Sequence, residues 1–152
     1  MTDRSRRLAL PAAALLALAV AACGSGAATT EPAPTLRVSV APTVPASTLP
    51  IEMDVAKAAA MRDAGAFILD VRELDEWVTG HIPDATLIPL GSLASRAGEV
   101  PADRDIVVVC RSGNRSAQGR DILLNAGFKA VTSMAGGMNE WAAAGLPVAT
   151  GE

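Results

Sequence analysis

From residue 51 onwards, short apolar runs alternate with segments whose apolar side chains recur every three or four residues. The apolar runs are too short for helices and are typical of strands buried on both faces. The helical segments end near glycines, which often terminate helices. This pattern predicts an α/β domain in which helices cover both faces of a parallel sheet. The predicted strands are residues 66–69, 86–88, 105–109 and 130–133, and the predicted helices are residues 53–64, 73–78, 116–124 and 137–144.

The beginning of the chain has the pattern of an export signal. Residues 1–7 carry three arginines, and the uncharged apolar run at 8–22 is shorter than the roughly 20 residues of a membrane-spanning helix. The end of that run, VAAC at residues 20–23, resembles the lipobox of bacterial lipoproteins. This resemblance implies cleavage before Cys23, lipidation of its thiol and a membrane-anchored protein outside the cytoplasm. An ordinary signal peptide is the alternative.

A segment with little capacity to form a core follows the signal. Twenty of the 27 residues at 24–50 are Gly, Ala, Ser, Thr or Pro, and five prolines oppose a helix. A coil of this length spans on the order of 30 Å and would hold a domain away from a membrane; a disordered stretch with another role is the alternative. The sequence thus predicts a signal peptide at 1–22, a lipidated cysteine and linker at 23–50, and a folded domain at 51–152.

Composition and charge exclude several classes of function. Residues 51–152 carry nine basic and fourteen acidic side chains with no run of Lys or Arg, so we expect no nucleic-acid partner. The chain has one histidine, His81, two cysteines and no C-x-x-C motif, so we expect no metal ion and no other cofactor. An enzyme with a Ser-His-Asp or Cys-His arrangement would have to use His81.

Cys110 lies where a strand-to-helix turn would present a nucleophile. The most strongly β-branched run of the chain ends directly before it, and the next helix is predicted from Ser116. Gly113 can adopt positive φ, so the intervening loop can turn its N–H groups inward, next to the positive end of the helix. With Arg111 and Arg115 nearby, such surroundings lower a thiol pKa. The alternative, a buried structural cysteine, fits poorly with two arginines whose charges burial would isolate.

The sequence of this loop, CRSGNRS at residues 110–116, resembles the active-site loop of the rhodanese-like family of sulfurtransferases. The resemblance extends over residues 51–149 and implies one rhodanese-like domain with a mainly parallel five-stranded sheet and helices on both faces. It departs from the family at Asp84, where glycine is usual, which affects a local turn. The other matching stretches are LDVR at 69–72 followed by EW at 76–77, GHIPDA at 80–85, and GG, W, G and PV between residues 136 and 148.

The resemblance implies that Cys110 is the catalytic nucleophile. The family's sulfurtransferases have six residues from the cysteine to the closing arginine, as from Cys110 to Arg115 here, and its phosphatase relatives have seven. The implied reaction moves sulfane sulfur from a donor such as thiosulfate to cyanide or a thiol, through a Cys110 persulfide. The partners would be small sulfur donors and acceptors, or a thiol of another protein. The residues expected to bind the substrate and stabilise the persulfide are Arg111, Ser112, Gly113, Asn114, Arg115 and Ser116.

Other polar residues are expected to support the fold. By resemblance, Asp70 and Arg72 hold each other or the loop backbone. We expect His81 to make a turn-stabilising hydrogen bond, because a thiolate activated by its loop needs no base. We expect both tryptophans in the core, and the acidic run at 73–76 is interpreted as a solvated helix face.

Two other functions stay open at this point. A sulfur-carrier module would hold a persulfide on Cys110 and deliver it to one protein partner. A phosphatase or an arsenate-reductase-like enzyme would use the same scaffold, although the six-residue loop argues against it. A disulfide between Cys23 and Cys110 would compete with lipidation, since both consume the Cys23 thiol; we favour lipidation.

Overall fold

Five short strands and five α-helices alternate along residues 47–151, the part of the chain that the computed structural model describes. The predicted signal, Cys23 and the linker up to residue 46 lie outside the described residues. The elements are β1 (Glu52–Met53), α1 (Val55–Asp63), β2 (Phe67–Asp70), α2 (Leu74–Thr79), β3 (Thr86–Leu87), α3 (Leu90–Arg96), a 3-10 turn (Ala97–Glu99), β4 (Ile106–Val109), α4 (Asn114–Asn125), β5 (Val131–Met134) and α5 (Gly137–Ala143).

The strands form one sheet in the order β1-β5-β4-β2-β3, and every neighbouring pair is parallel. The predicted α/β class and the five-stranded parallel sheet are therefore confirmed. The central strand β4 is buried along its whole length, which explains why its sequence is continuously apolar. In the register of β2 and β4, Asp70 is paired with Val109, so the carboxyl ends of these strands lie side by side.

Both faces of the sheet are covered by helices. One face packs against α1 and α5, where Val107, Val109 and Met134 from the strands belong to the same core cluster as the fully buried Trp141. The other face packs against α3 and α4. There, a β-carbon at Gly119 would lie 3.0 Å from a methyl group of Val108 and 3.2 Å from one of Val71, so glycine allows α4 to lie close to the sheet. The remaining contacts on this second face come from Leu69, Ile106, Val131, Leu93, Leu123 and Leu124.

The start of α1 differs from the sequence prediction. The helix begins at Val55 and not at Met53, because Asp54 caps it: the Asp54 side chain accepts a hydrogen bond of 2.9 Å from the N–H of Lys57. Met53 instead belongs to β1. The sequence pattern also does not predict β1 or α3, since β1 has only two residues and α3 buries a single side chain, that of Leu93.

The chain contacts the sheet before the expected domain boundary at residue 51. The Ser47 hydroxyl donates to the carbonyl of Val131 at 2.7 Å and accepts from the N–H of Val131 at 3.1 Å. The N–H of Thr48 donates to the carbonyl of Lys129 at 2.7 Å. The chain therefore reaches the domain at the amino end of β5. No helix between residues 47 and 151 combines the length and the hydropathy needed to cross a membrane.

Candidate active site

The Cys110 side chain follows directly after β4, at the carboxyl edge of the sheet, and is buried. The loop after it turns at Gly113, whose φ of 104° lies in the region that favours glycine. This turn brings the N–H of Gly113 to the Cys110 sulfur, with 3.1 Å between nitrogen and Sγ. Helix α4 begins at Asn114, two residues earlier than the sequence pattern predicts, because the residue with the left-handed conformation is the helix cap itself.

The surroundings of the sulfur favour the thiolate. Burial raises the pKa of the Cys110 thiol, but the N–H groups of Ser116, Ser112 and Gly113, with the Ser116 hydroxyl, hold the pKa below its usual value. The direction agrees with the sequence prediction of an activated thiol. The donors that produce it are mainly main-chain groups at the start of α4, where several N–H groups have no partner within the helix.

Ser116 joins the sulfur to its loop. Its hydroxyl is fully buried, lies 3.7 Å from the sulfur and donates a hydrogen bond of 2.6 Å to the carbonyl of Gly113. A thiol can donate to this hydroxyl oxygen, whereas a thiolate can accept from the hydroxyl after it rotates. Ser116 therefore has a partner in both protonation states of Cys110.

Two main-chain hydrogen bonds join helix α5 to the loop. The N–H of Met138 donates to the carbonyl of Cys110 at 2.8 Å, and the N–H of Asn139 donates to the carbonyl of Arg111 at 3.1 Å. Gly137 has a φ of 56°, and a β-carbon there would overlap the carbonyl oxygen of Cys110. Gly137, the first residue of α5, thus lets the two backbones approach closely.

Arg115 forms a bidentate ion pair with Glu76 of α2. Its two terminal nitrogens lie 2.6 and 2.7 Å from the two carboxylate oxygens. The Arg115 hydrogen bonds hold the pKa of Glu76 below its usual value. The interpretation of residues 73–76 as a wholly solvated face is therefore wrong for Glu76. Since 39 residues separate the partners, no local pattern in the sequence indicates this contact.

Asp70 and Arg72 hold each other, as the family resemblance implies. Both are buried, with Nη2 of Arg72 2.7 Å from Oδ2 of Asp70 and Nε 3.0 Å from Oδ1. Arg72 also donates to the carbonyls of Glu76 at 3.2 Å and Gly80 at 2.8 Å. The pair therefore binds the backbone of α2 at Glu76, whose carboxylate binds Arg115, and the backbone of Gly80 directly after the helix.

The remaining side chains of the loop point towards solvent. Arg111, Ser112 and Asn114 are exposed, and within residues 47–151 none of these side chains hydrogen-bonds to the Cys110 sulfur. Ser112 acts on the thiol through its main-chain N–H. Of the loop residues expected from the sequence, the structure thus brings Gly113 and Ser116 to the sulfur directly and places Arg115 on Glu76.

His81 makes the expected turn-stabilising contact. Its Nδ1–H donates to the carbonyl of Trp77 at 3.1 Å, and its ring stacks on the Trp77 ring with 3.7 Å between centroids and 4° between planes. Its main chain exchanges two hydrogen bonds of 2.9 Å with Ala149. Asp84, in the turn that follows, has a φ of 65° and so adopts the conformation usual for the glycine it replaces.

In the described part of the chain, no group of three or more His, Cys, Asp or Glu side chains could hold a metal ion. Cys110 is a free thiol, and Cys23, its hypothetical disulfide partner, lies outside the described residues.

The described residues thus form an α/β domain in which a buried cysteine with a lowered pKa lies on the loop between the central strand of a parallel sheet and a helix. A family model described as "Rhodanese-like domain" matches residues 54–144, and the chain belongs to this family. The resemblance read from the sequence motifs is thereby confirmed.

Two sulfurtransferases and one solved structure match the same region. A sulfurtransferase of Allochromatium vinosum is 40% identical over 85 residues, covering 56% of this chain and 79% of that protein. The thiosulfate sulfurtransferase GlpE of Pseudomonas savastanoi pv. phaseolicola is 36% identical over 87 residues, covering 57% of this chain and 82% of that protein. The crystal structure of a rhodanese-related protein from Thermoplasma volcanium has a TM-score of 0.62 at 29% identity, covering 66% of this chain and 98% of that chain.

Proposed function

We propose that this protein is a sulfurtransferase that accepts sulfane sulfur from a donor such as thiosulfate on Cys110 and passes it to cyanide or a thiol. The observation that carries the proposal is the set of main-chain donors around a free, buried thiol, with the Gly113 nitrogen 3.1 Å from Sγ. Such donors stabilise a thiolate before the reaction and a persulfide anion after it. The names of the relatives support sulfur transfer as the chemistry.

The reaction would proceed in two steps through a covalent intermediate. The Cys110 thiolate attacks the outer sulfur of thiosulfate, the donor S–S bond breaks, and sulfite leaves with the bonding electrons. Cys110 then carries a persulfide anion. Cyanide or a thiolate attacks the outer sulfur of that persulfide, which yields thiocyanate or a new persulfide and regenerates the Cys110 thiolate.

The geometry of Arg115 argues against a phosphatase. Arginine commonly binds a phosphoryl group through two parallel N–H bonds. Here the two terminal nitrogens of Arg115 bind the carboxylate of Glu76. The six residues from Cys110 to Arg115 also form the shorter of the two loop types that distinguish the chemistries.

Intact mass spectrometry of the purified protein tests the proposal. After incubation with thiosulfate we expect a mass gain of one sulfur atom, which is lost on addition of cyanide and does not occur in Cys110→Ser. A persulfide that cyanide and small thiols do not remove would support the carrier function instead. No mass gain, together with hydrolysis of a phosphate ester that requires Cys110, would contradict the proposal in favour of the phosphatase.

We also propose that the protein is exported and anchored to a membrane through lipidated Cys23. The support is the basic, apolar and VAAC sequence of residues 1–23. Sulfur transfer would then take place outside the cytoplasm.

A further inference from the structure

The arginines around the catalytic loop differ in their partners. Arg72 is paired with Asp70, and Arg115 is paired with Glu76. Arg111 is exposed, and no carboxylate among residues 47–151 lies within 4.0 Å of its guanidinium group. Each pair joins one positive and one negative group, so among residues 47–151 Arg111 is the one arginine of the loop after Cys110 whose positive charge is not compensated by an ion pair.

Glu76 is held rigidly where it neutralises Arg115. Its main-chain carbonyl accepts a hydrogen bond from Arg72, and its carboxylate belongs to the capping box of α2 with Glu73. The side chains of Glu76 and Arg115 are only 24% and 31% exposed, so water screens their interaction incompletely. Arg115 also interacts electrostatically with the sulfur: the hydrogen bonds that Arg115 donates to Glu76 raise the pKa of Arg115 most, and the charge of Cys110 raises it further.

We propose that Glu76 sets the charge selectivity of this site, favouring sulfur donors with one negative charge, such as organic thiosulfonates and persulfides, over dianionic thiosulfate. This inference rests on the proposed sulfurtransferase function. Among the described residues, the Arg115–Glu76 pair leaves a single uncompensated guanidinium, Arg111, at the loop. One positive charge matches a singly charged donor, whereas the second charge of thiosulfate meets no further unpaired cation of the loop within residues 47–151 and is repelled by the Glu76 carboxylate.

Two donors that transfer the same kind of sulfur atom but differ in charge separate the effect of donor charge from the effect of the transfer reaction itself. The Cys110 thiolate attacks the terminal sulfur of methanethiosulfonate, the S–S bond breaks, and methanesulfinate leaves with the bonding electrons. With thiosulfate, the same step releases sulfite. Both reactions leave the same Cys110 persulfide anion, so the ratio of the two kcat/KM values measures how the site responds to donor charge.

The experiment measures thiocyanate formation with both donors and saturating cyanide, on the full chain and on Glu76→Gln. The substitution removes the charge and keeps an oxygen that accepts from Arg115. We expect the ratio of kcat/KM for thiosulfate to kcat/KM for methanethiosulfonate to rise roughly tenfold, and the rise to shrink at high salt. Asp75→Asn is the matched control, since it removes an exposed carboxylate from the same helix that has no ion-pair partner among the described residues; it should change the ratio less than about twofold.

A second variant keeps the inference testable if Glu76→Gln fails to fold. Arg111→Gln alters an exposed side chain and should lower kcat/KM for both donors, with a larger loss for thiosulfate. The inference is overturned if folded Glu76→Gln keeps the wild-type donor ratio, or if Arg111→Gln affects neither donor. If neither donor forms a persulfide on the wild-type protein, the proposed function itself fails, which is a different result.

Discussion

At the scale of single residues, the lowered pKa of Cys110 depends mainly on hydrogen-bond donors of the backbone. The nearest is the N–H of Gly113, and the only side chain within hydrogen-bond distance of the sulfur among residues 47–151 is that of Ser116. Guanidinium groups act from farther away, since Arg115 is bound to Glu76 and Arg111 is exposed. We therefore expect a substitution of Ser116 to change the pKa of the Cys110 thiol, although the serine side chain carries no charge.

Ser116→Ala should raise the pKa of Cys110, because the thiolate loses the hydroxyl among the donors that lower it. A hydrogen bond to a charged group contributes about 1.5–3 kcal/mol, so alkylation by iodoacetamide near neutral pH should slow on the order of tenfold. Ser112→Ala is the matched control, since it deletes an exposed hydroxyl and keeps the N–H that acts on the sulfur. The pH dependence of alkylation measures both variants; equal profiles for Ser116→Ala and wild type would contradict this account.

Asp84 carries a conformation that its side chain disfavours. It is the only non-glycine residue with positive φ between residues 47 and 151. Asp84→Gly should raise the free energy of unfolding by about 0.5–1 kcal/mol, because the relief of left-handed strain exceeds the added freedom of the unfolded chain. Asp103→Gly, in a loop without positive φ, should bring no gain. Denaturant unfolding measures both, and a loss of stability in Asp84→Gly would show that the turn is not strained.

Residues that act through local geometry were predictable from the sequence, and those that act across the fold were not. Cys110 and Gly113 stand out because a strand, a glycine and a helix follow one another within a few positions. Glu76 does not, because the same three acidic residues on a short helix are the usual pattern of a solvated face, and its partner comes much later in the chain. The importance of Ser116 could be read only from its place in the motif.

At the scale of elements, the loop depends on how closely α5 approaches it. A β-carbon at Gly137 would overlap the carbonyl of Cys110, and the φ of 56° adds strain. Gly137→Ala should therefore lower the free energy of unfolding by about 2–4 kcal/mol and slow the alkylation of Cys110.

The matched control for this substitution is Gly91→Ala in α3. Outside the neighbouring residues and the backbone of α3 itself, no atom lies within 4 Å of the added β-carbon there, and alanine is the better helix former, so stability should stay equal or rise by up to about 1 kcal/mol. If Gly137→Ala unfolded and reacted like the wild type, the close contact between α5 and the loop would not be needed.

The ion pair between α2 and α4 should make stability depend on pH. Because Arg115 holds the pKa of Glu76 below its usual value, the folded protein binds fewer protons at this carboxylate than the unfolded chain does. The stabilisation is then fully present above the ordinary glutamate pKa of about 4.3 and is lost as the pH falls through the lower folded pKa.

Glu76→Gln should therefore be less stable than the wild type by about 1 kcal/mol near neutral pH, and the difference should shrink below about pH 4. Glu99→Gln is the control: Glu99 forms a similar two-bond pair with Arg96, but both side chains are largely exposed, so its removal should matter less. Chemical unfolding of the three proteins from pH 3 to 8 gives the comparison. A difference that is constant over this range would exclude the ion pair as its cause.

The elements that form the core were predictable, whereas the elements that complete its edges were not. The strand β4 and most of β2 show as apolar runs because both of their faces are covered, whereas β5 is buried but contains the polar residues Thr132 and Ser133. The edge strand β1 is too short to show any pattern, and α3 buries only Leu93. The observed helix boundaries differ from the predicted ones where a capping residue sets the start of the helix, as Asp54 does for α1.

At the scale of the whole molecule, all neighbouring strands are parallel, so their amino ends lie at one edge of the sheet and their carboxyl ends at the opposite edge. Ser47 binds Val131 at the amino end of β5, whereas Cys110 follows the carboxyl end of the neighbouring strand β4. Ser47 therefore lies at the edge of the sheet opposite the thiol. If Cys23 is lipidated as proposed, we predict that anchoring and sulfur transfer are separable.

Cys23→Ala tests this separation in a bacterial host that lipidates exported proteins. The substitution removes the thiol that would carry the lipid, so we expect the protein to move from the membrane fraction to a soluble or uncleaved form. Persulfide formation per molecule on Cys110 should not change, because the folded domain is untouched.

Ser25→Ala, two residues further on, should stay with the membrane and serves as the control. Immunoblots of membrane and soluble fractions, with incorporation of a labelled fatty acid, give the result. If Cys23→Ala stays membrane-bound after the signal is removed, the lipobox hypothesis is wrong; if it loses persulfide formation, anchoring and catalysis are coupled after all.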